Sequence, residues 1–107
     1  MANDFRENHV ELKTGKIHVL EGGTGSNIFF LHHSWGNPGW LPLHTILSKE
    51  HHVVVPDMPG WGGSDRPIWA RDTRDIAILC RRVIESLELE SVTIVGLGFG
   101  GYVAAEL

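Results

Sequence analysis

Residues 91–107 constrain the fold of this chain more than any other stretch. Val92 to Val95 is a run of mostly β-branched residues, which is typical of a buried parallel strand. Gly96-Leu97-Gly98-Phe99-Gly100-Gly101 then turns the chain sharply, and the alanine-rich segment from Tyr102 to Leu107 predicts the start of a helix. A strand, a tight glycine turn and a helix in this order is the place where α/β enzymes hold a reactive group or bind an anion.

Two motifs compete for the glycines of this turn. The nucleophile elbow G-x-S-x-G aligns with Gly96, Gly98 and Gly100, but glycine stands where the serine belongs. The dinucleotide fingerprint G-x-G-x-x-G matches Gly96, Gly98 and Gly101, and the local pattern slightly favours it. That fingerprint usually opens its domain and requires an acidic residue about 20 positions later, which is a position beyond Leu107.

Length, charge and cysteine content limit the class of protein. A chain of 107 residues is one small domain at most, or a piece of a larger one. The net charge of −4, with Lys and Arg scattered, gives no indication of nucleic-acid binding. Residues 1–8 are polar, unlike a signal peptide, and no apolar run approaches the ~20 residues that span a bilayer. Cys80 is the single cysteine, which fits a reducing compartment. We therefore expect a cytoplasmic protein without a membrane partner.

Apolar periodicity predicts the element order β-β-β-α-β-α-β-α, an α/β arrangement that begins with an antiparallel pair. Residues 8–13 and 17–20 are predicted to form a hairpin with an exposed face, followed by a connector at 21–26. Further strands are predicted at 28–31, 52–56 and 92–95. A short helix over 40–47 is expected to pack through Leu43, Ile46 and Leu47. A longer helix, capped by Asp72, carries apolar residues at helical spacing, namely Ile76, Leu79, Cys80, Val83, Ile84 and Leu87.

Three motifs in this order resemble the N-terminal half of the α/β-hydrolase family, over nearly the whole chain. The apolar strand that leads to His32 and its Gly/Pro-rich loop is similar to the family's His-Gly oxyanion segment. The segment from Asp57 to Asp65 resembles the D-x-P-G-x-G-x-S loop, and the segment from Val95 to Gly101 resembles the nucleophile elbow. The resemblance implies an antiparallel hairpin, then parallel strands with helices on both faces. Residues 1–107 would form a single, incomplete domain that is truncated after the elbow.

The resemblance also assigns site residues. Gly98 takes the nucleophile position without a side chain, although glycine adopts the strained elbow backbone easily. The family's oxyanion hole uses backbone N–H groups, which by position belong to Ser34 and Phe99. His33 stands where the family usually has glycine. His32, His33 and Trp35 are expected to line an apolar substrate pocket.

The family implies hydrolysis of an ester, amide, carbon–carbon or carbon–halogen bond in a small, fairly apolar substrate, without an organic cofactor. Because Gly98 removes the serine, the full-length protein would use water activated by the histidine that follows the elbow in the family, or an oxyanion hole without covalent catalysis. Two alternatives stay open: a non-catalytic binding protein of the same fold, and nucleotide binding through Gly96, Gly98 and Gly101. We expect no metal, since the adjacent histidines at 32–33 and 51–52 point to opposite faces of an extended chain.

Overall fold

The helices and strands follow one another in the order that the apolar pattern predicts. The computed structural model describes residues 5–107, so residues 1–4 of the polar N-terminal stretch lie outside it. The strands are β1 (Arg6–Leu12), β2 (Gly15–Gly22), β3 (Ser26–Leu31), β4 (His51–Pro56) and β5 (Thr93–Gly96). The helices are α1 (Pro42–Leu47), α2 (Thr73–Ser86) and α3 (Phe99–Glu106).

The strands form one mixed sheet in the order β1-β2-β4-β3-β5. β1 and β2 pair as the expected antiparallel hairpin, and β4, β3 and β5 run parallel to one another. The exposed face predicted for the hairpin is wrong for the second half of β2, where residues 19–22 are buried. This half also pairs antiparallel with β4, so Glu21 and Gly22 extend the strand instead of beginning a connector.

Helices cover both faces of the sheet, as the family resemblance implies. Successive strand residues point to opposite faces, so Phe29 and Phe30 belong to different apolar layers. The layer that contains Phe29 packs beneath α2 and α3. The layer that contains Phe30 receives Trp40 and Leu47 from the α1 side. The carboxyl ends of β3, β4 and β5 therefore meet at one edge, with a loop following each strand.

The predicted apolar face of α1 is confirmed for Leu47, which packs on the layer that contains Phe30, but it is wrong for Leu43 and Ile46. Leu43 and Ile46 are 51% and 62% exposed, whereas His44 is buried with its ring 4.6 Å from that of Phe30. The predicted helix began at Trp40 but starts at Pro42, and over six residues the periodicity does not determine the buried side. Burial lowers the pKa of His44, which favours the neutral imidazole in this contact.

The prediction for α2 is confirmed. The Asp72 side chain accepts a hydrogen bond of 2.9 Å from the Asp75 backbone N–H, which caps the helix. Cys80 is buried on the sheet-facing side, and burial raises the pKa of its thiol to about 12, so the thiolate does not form at neutral pH. Within residues 5–107, no helix has both the length and the apolar character that a membrane crossing requires.

Candidate functional site

The turn between β5 and α3 has the geometry of a nucleophile elbow. Gly98 adopts φ 54° and ψ −118°, a backbone conformation that costs other residues about 1–3 kcal/mol. The Leu97 N–H donates to the carbonyl of Leu31 at 3.0 Å, which fixes the turn to the end of β3. The Gly101 N–H donates to the Gly98 carbonyl at 2.9 Å and starts the helix. The elbow therefore forms, with no side chain at its apex.

Phe99 is the first residue of α3. The first four N–H groups of a helix have no acceptor within the helix, and they form its positive end. The Phe99 N–H accordingly lies directly after the elbow position with its hydrogen available to an acceptor such as a carbonyl oxygen. This is the position that the sequence assigns to one oxyanion donor.

The loop after β3 holds the second assigned donor, Ser34, in a fixed orientation. The carbonyl of His33 accepts hydrogen bonds from His32 Nδ1 at 2.7 Å and from the Gly36 N–H at 3.0 Å. Peptide bonds in the described chain are trans, so the Ser34 N–H points away from that carbonyl and away from both donors. The Ser34 carbonyl accepts from Trp61 Nε1 at 2.9 Å, which fixes the following peptide as well.

His32 has a structural role, because both of its ring nitrogens are hydrogen-bonded to backbone groups and neither is free to act as a base. It is 5% exposed, its Nδ1–H donates to the His33 carbonyl, and its Nε2 accepts from the Met58 N–H at 2.9 Å. Burial lowers the pKa of His32, which favours the neutral tautomer that this pair of hydrogen bonds requires. His32 thereby joins the loop after β3 to the loop after β4.

The three residues that the sequence assigns to a substrate pocket lie around one cavity of about 300 Å³. His32, His33 and Trp35 line it together with Leu97, the residue before the elbow. The Trp35 ring lies 4.5 Å from the His33 ring, and Trp35 is 90% exposed. The cavity therefore borders the elbow and presents a largely apolar wall to solvent.

The ring of His33 occupies the space above the elbow glycine. An ideal Cβ at Gly98 would overlap His33 Cδ2 and Nε2 and would lie 2.9 Å from His33 Cγ. Real Cβ atoms essentially never approach another heavy atom so closely. Glycine at 98 and histidine at 33 are consequently compatible with each other, whereas a side chain at 98 requires this ring to move.

Trp61 contributes to the site, although the sequence analysis assigns it no role. The Trp61 ring lies 5.4 Å from the His32 ring and 5.5 Å from the Phe99 ring, so it bridges both halves of the site. Trp61 and Phe99 also line a second cavity of about 310 Å³. The only sequence signal was the position of Trp61 inside the D-x-P-G-x-G loop.

Asp57 and His18 anchor the loop that carries Trp61, and no sequence motif pairs these two residues. Asp57 Oδ2 accepts from His18 Nδ1 at 2.8 Å and from the Gly63 N–H at 3.0 Å. His18 Nε2 also contacts the Glu7 carboxylate. Burial alone would lower the pKa of His18, but hydrogen bonds to Glu7 and Asp57 and their negative charges together raise it. The three groups fasten the loop to β1 and β2.

No cluster of three or more His, Cys, Asp or Glu side chains with metal-binding geometry occurs in the part of the chain that the structure describes. His51 and His52 make separate contacts: His51 pairs with Ser26, and His52 pairs with Asn27 and Glu21. Glu21 is buried, and although burial would raise its pKa, the hydrogen bonds from His52 and Asn8 and the charge of Arg6 lower it.

Comparisons with known proteins agree with this geometry. A sequence profile of the alpha/beta hydrolase family matches residues 23–107. The 2-hydroxymuconate semialdehyde hydrolase of Pseudomonas sp. CF600 is 34% identical over 86% of this chain and 34% of its own length. The soluble epoxide hydrolase of Corynebacterium sp. C12 is 26% identical over 97% of this chain and 37% of its own length. The chain thus spans about a third of the length of these curated relatives.

A solved structure gives the same result. Wild-type Cfl2 from Burkholderia cenocepacia superimposes with a TM-score of 0.90, covers 97% of this chain and 36% of its own, and is 28% identical in sequence.

Proposed function

Because this chain belongs to the α/β-hydrolase family, we propose that it carries the elbow and oxyanion hole of an enzyme that hydrolyses a small, fairly apolar carbonyl substrate without a serine nucleophile. Residues 1–107 are, in this proposal, one part of a larger hydrolase domain. The share of the curated relatives that the chain spans, 34% and 37%, supports it. Activity is therefore to be measured on the full-length protein.

One observation carries the proposal. The Phe99 N–H follows an elbow backbone at Gly98, and the ring of His33, the residue before Ser34, lies against that same glycine. The loop that carries Ser34 therefore lies beside the elbow, and hydrogen bonds fix its backbone. In this proposal the N–H groups of Ser34 and Phe99 face the same substrate oxygen. Such a pair of N–H groups stabilises negative charge on an oxygen, which is the central requirement of carbonyl hydrolysis.

The absence of an elbow side chain favours some substrates over others. Carbon–halogen bonds lack a carbonyl oxygen that an oxyanion hole could hold, and their cleavage depends on a nucleophile at the carbon. Esters, amides and carbon–carbon bonds next to a carbonyl develop an oxyanion when water adds to the carbonyl carbon. The name of one relative, a semialdehyde hydrolase, agrees with a carbonyl-containing substrate. We therefore place a small carbonyl compound in the cavity beside Trp35.

The test removes one backbone donor. Phe99→Pro deletes the N–H, and proline is well tolerated at the first position of a helix. Phe99→Leu is the control, because it also loses the aromatic ring but keeps the N–H. With a panel of small esters and β-dicarbonyl compounds, we expect kcat of Phe99→Pro to fall about 10²–10³-fold, or roughly 3–4 kcal/mol of transition-state stabilisation. Equal activity of the two variants, both folded, would remove the oxyanion role from Phe99.

A non-catalytic binding protein of the same fold is the second candidate, and the missing side chain at Gly98 favours it. This candidate predicts that the full-length protein binds small apolar carbonyl compounds but releases them unchanged. Mass spectrometry of the compounds after long incubation separates the two functions, because hydrolysis adds the mass of one water across the cleaved bond.

A further inference from the structure

His33 contacts the elbow in a way that neither the motif nor the family match requires. Its Cδ2 and Nε2 atoms lie where a Cβ on Gly98 would stand, so the imidazole occupies the volume of the missing elbow side chain. His33 is half-buried and lines the cavity that also contains Trp35 and Leu97. The ring is therefore at the apex of the elbow and borders the cavity in which the substrate is placed.

We propose that His33 Nε2 is the general base of this site, acting from the position that the elbow side chain vacates; this rests on the proposed hydrolytic function. A water O–H bond breaks and its proton passes to Nε2, while the water oxygen bonds to the substrate carbonyl carbon. The carbonyl π pair moves to its oxygen, between the N–H groups of Phe99 and Ser34. When C=O re-forms, the bond to the leaving group breaks, and the leaving group takes the proton from Nε2.

The hydrogen bonds around the ring support this assignment. His33 Nδ1 lies 3.1 Å from Ser34 Oγ, and the proposed role uses the tautomer in which Nδ1–H donates to that hydroxyl and the lone pair is on Nε2. The neighbouring imidazole of His32 has both nitrogens engaged with backbone groups, so it does not compete as a base. Within residues 5–107, the side chains that hydrogen-bond to or stack on the His33 ring are those of Ser34 and Trp35, both uncharged.

The chemical role is tested on the full-length protein with the carbonyl panel. His33→Gln keeps a polar side chain of similar size but cannot take a proton, so we expect kcat to fall about 10²–10⁴-fold. The acid limb of the pH–rate profile should disappear in this variant, because glutamine cannot replace the imidazole as a base. His33→Gly opens a ring-sized gap, and added imidazole should restore turnover with saturation. The general-base role of His33 is wrong if the acid limb of the pH–rate profile is unchanged in His33→Gln. It is also wrong if His33→Gly, without added imidazole, turns over substrate faster than the natural protein.

The position of the His33 ring is tested separately, by thermal stability. This measurement does not depend on turnover, so an error in the placement of the ring can be told apart from an error in the hydrolytic function. Gly98→Ala adds only the Cβ that His33 excludes, and it is made both in the natural sequence and in His33→Gly. We expect the fall in Tm to be about 5 °C smaller in the His33→Gly background, because the clash is then absent. Equal falls overturn the placement of the ring. If the two falls in Tm differ as expected but the full-length protein turns over no substrate, the placement of the ring stands. The general-base role of His33 and the hydrolytic function are then both wrong.

Discussion

At Gly100, α3 lies close against the backbone at the end of β3, and Gly100→Ala tests why the elbow needs a glycine at this position. An ideal Cβ at Gly100 would overlap the Leu31 carbonyl oxygen and would lie 2.6 Å from the His32 carbonyl oxygen. Both are backbone atoms at the end of β3, so no side chain can rotate out of the way. To reach an ordinary contact of about 3.4 Å, α3 must move by roughly 0.8 Å or more, which disrupts the packing of the site.

The magnitude follows from two opposing terms. Overpacking against fixed backbone costs about 3 kcal/mol, the upper end of the usual range, and alanine regains at most about 1 kcal/mol of helix propensity. We expect Gly100→Ala to lower the free energy of unfolding of the full-length protein by about 2 kcal/mol. Urea denaturation measures this as a lower midpoint with an unchanged m-value.

Gly101→Ala is the matched control, one residue further along the same helix turn. A Cβ at Gly101 meets nothing closer than the Gly96 carbonyl oxygen at 3.7 Å, which is ordinary van der Waals contact. We expect this variant to be as stable as the natural protein, or more stable by up to about 1 kcal/mol. If Gly101→Ala loses as much stability as Gly100→Ala, or if neither loses any, close approach of α3 to β3 does not explain the glycine pattern.

Two further predictions concern the groups around the site. Glu7 and Asp57 raise the pKa of His18, so the stability that protonated His18 adds is present below about pH 6.5 and is lost as the pH rises through its folded-state pKa. Urea titrations should therefore show His18→Gln less stable than the natural protein at pH 6, with the gap narrowing by pH 9; a gap independent of pH contradicts this. Trp35 is 90% exposed, so Trp35→Ala should change the free energy of unfolding by less than about 0.5 kcal/mol. The same variant should raise KM for apolar substrates at constant kcat. An unchanged KM would show that Trp35 does not line the substrate pocket.

The sequence predicted much of this fold because its local signals agree with one another. The β-branched run before Gly96, the Asp72 cap and the apolar face of α2 each depend on residues within a few positions of one another. Pairing of β2 with β4 joins segments more than 30 residues apart, for example Glu21 to Val54, and no local pattern encodes it. The buried second half of β2 was missed for this reason.

The site divides in the same way. The elbow backbone at Gly98 could be predicted from its motif position, because it depends on where the chain turns rather than on side-chain chemistry. The donor roles of Ser34 and Phe99 stay predictions. Trp61 and His18 act through contacts across loops, at 2.9 Å to Ser34 and 2.8 Å to Asp57, which only the folded chain brings together. The sequence likewise shows that histidine replaces the family's usual glycine at position 33. It does not show that the His33 ring lies over Gly98, which depends on the fold.

Hydrolysis without a covalent enzyme intermediate can be tested with a fluorophosphonate, a reagent that attaches to activated serines. The full-length protein is incubated with the reagent, weighed intact by mass spectrometry, and then assayed with its best carbonyl substrate. We predict an unchanged mass and undiminished turnover, because the elbow position holds Gly98. Loss of turnover together with a phosphonyl adduct on a serine, Ser34 included, would contradict the account.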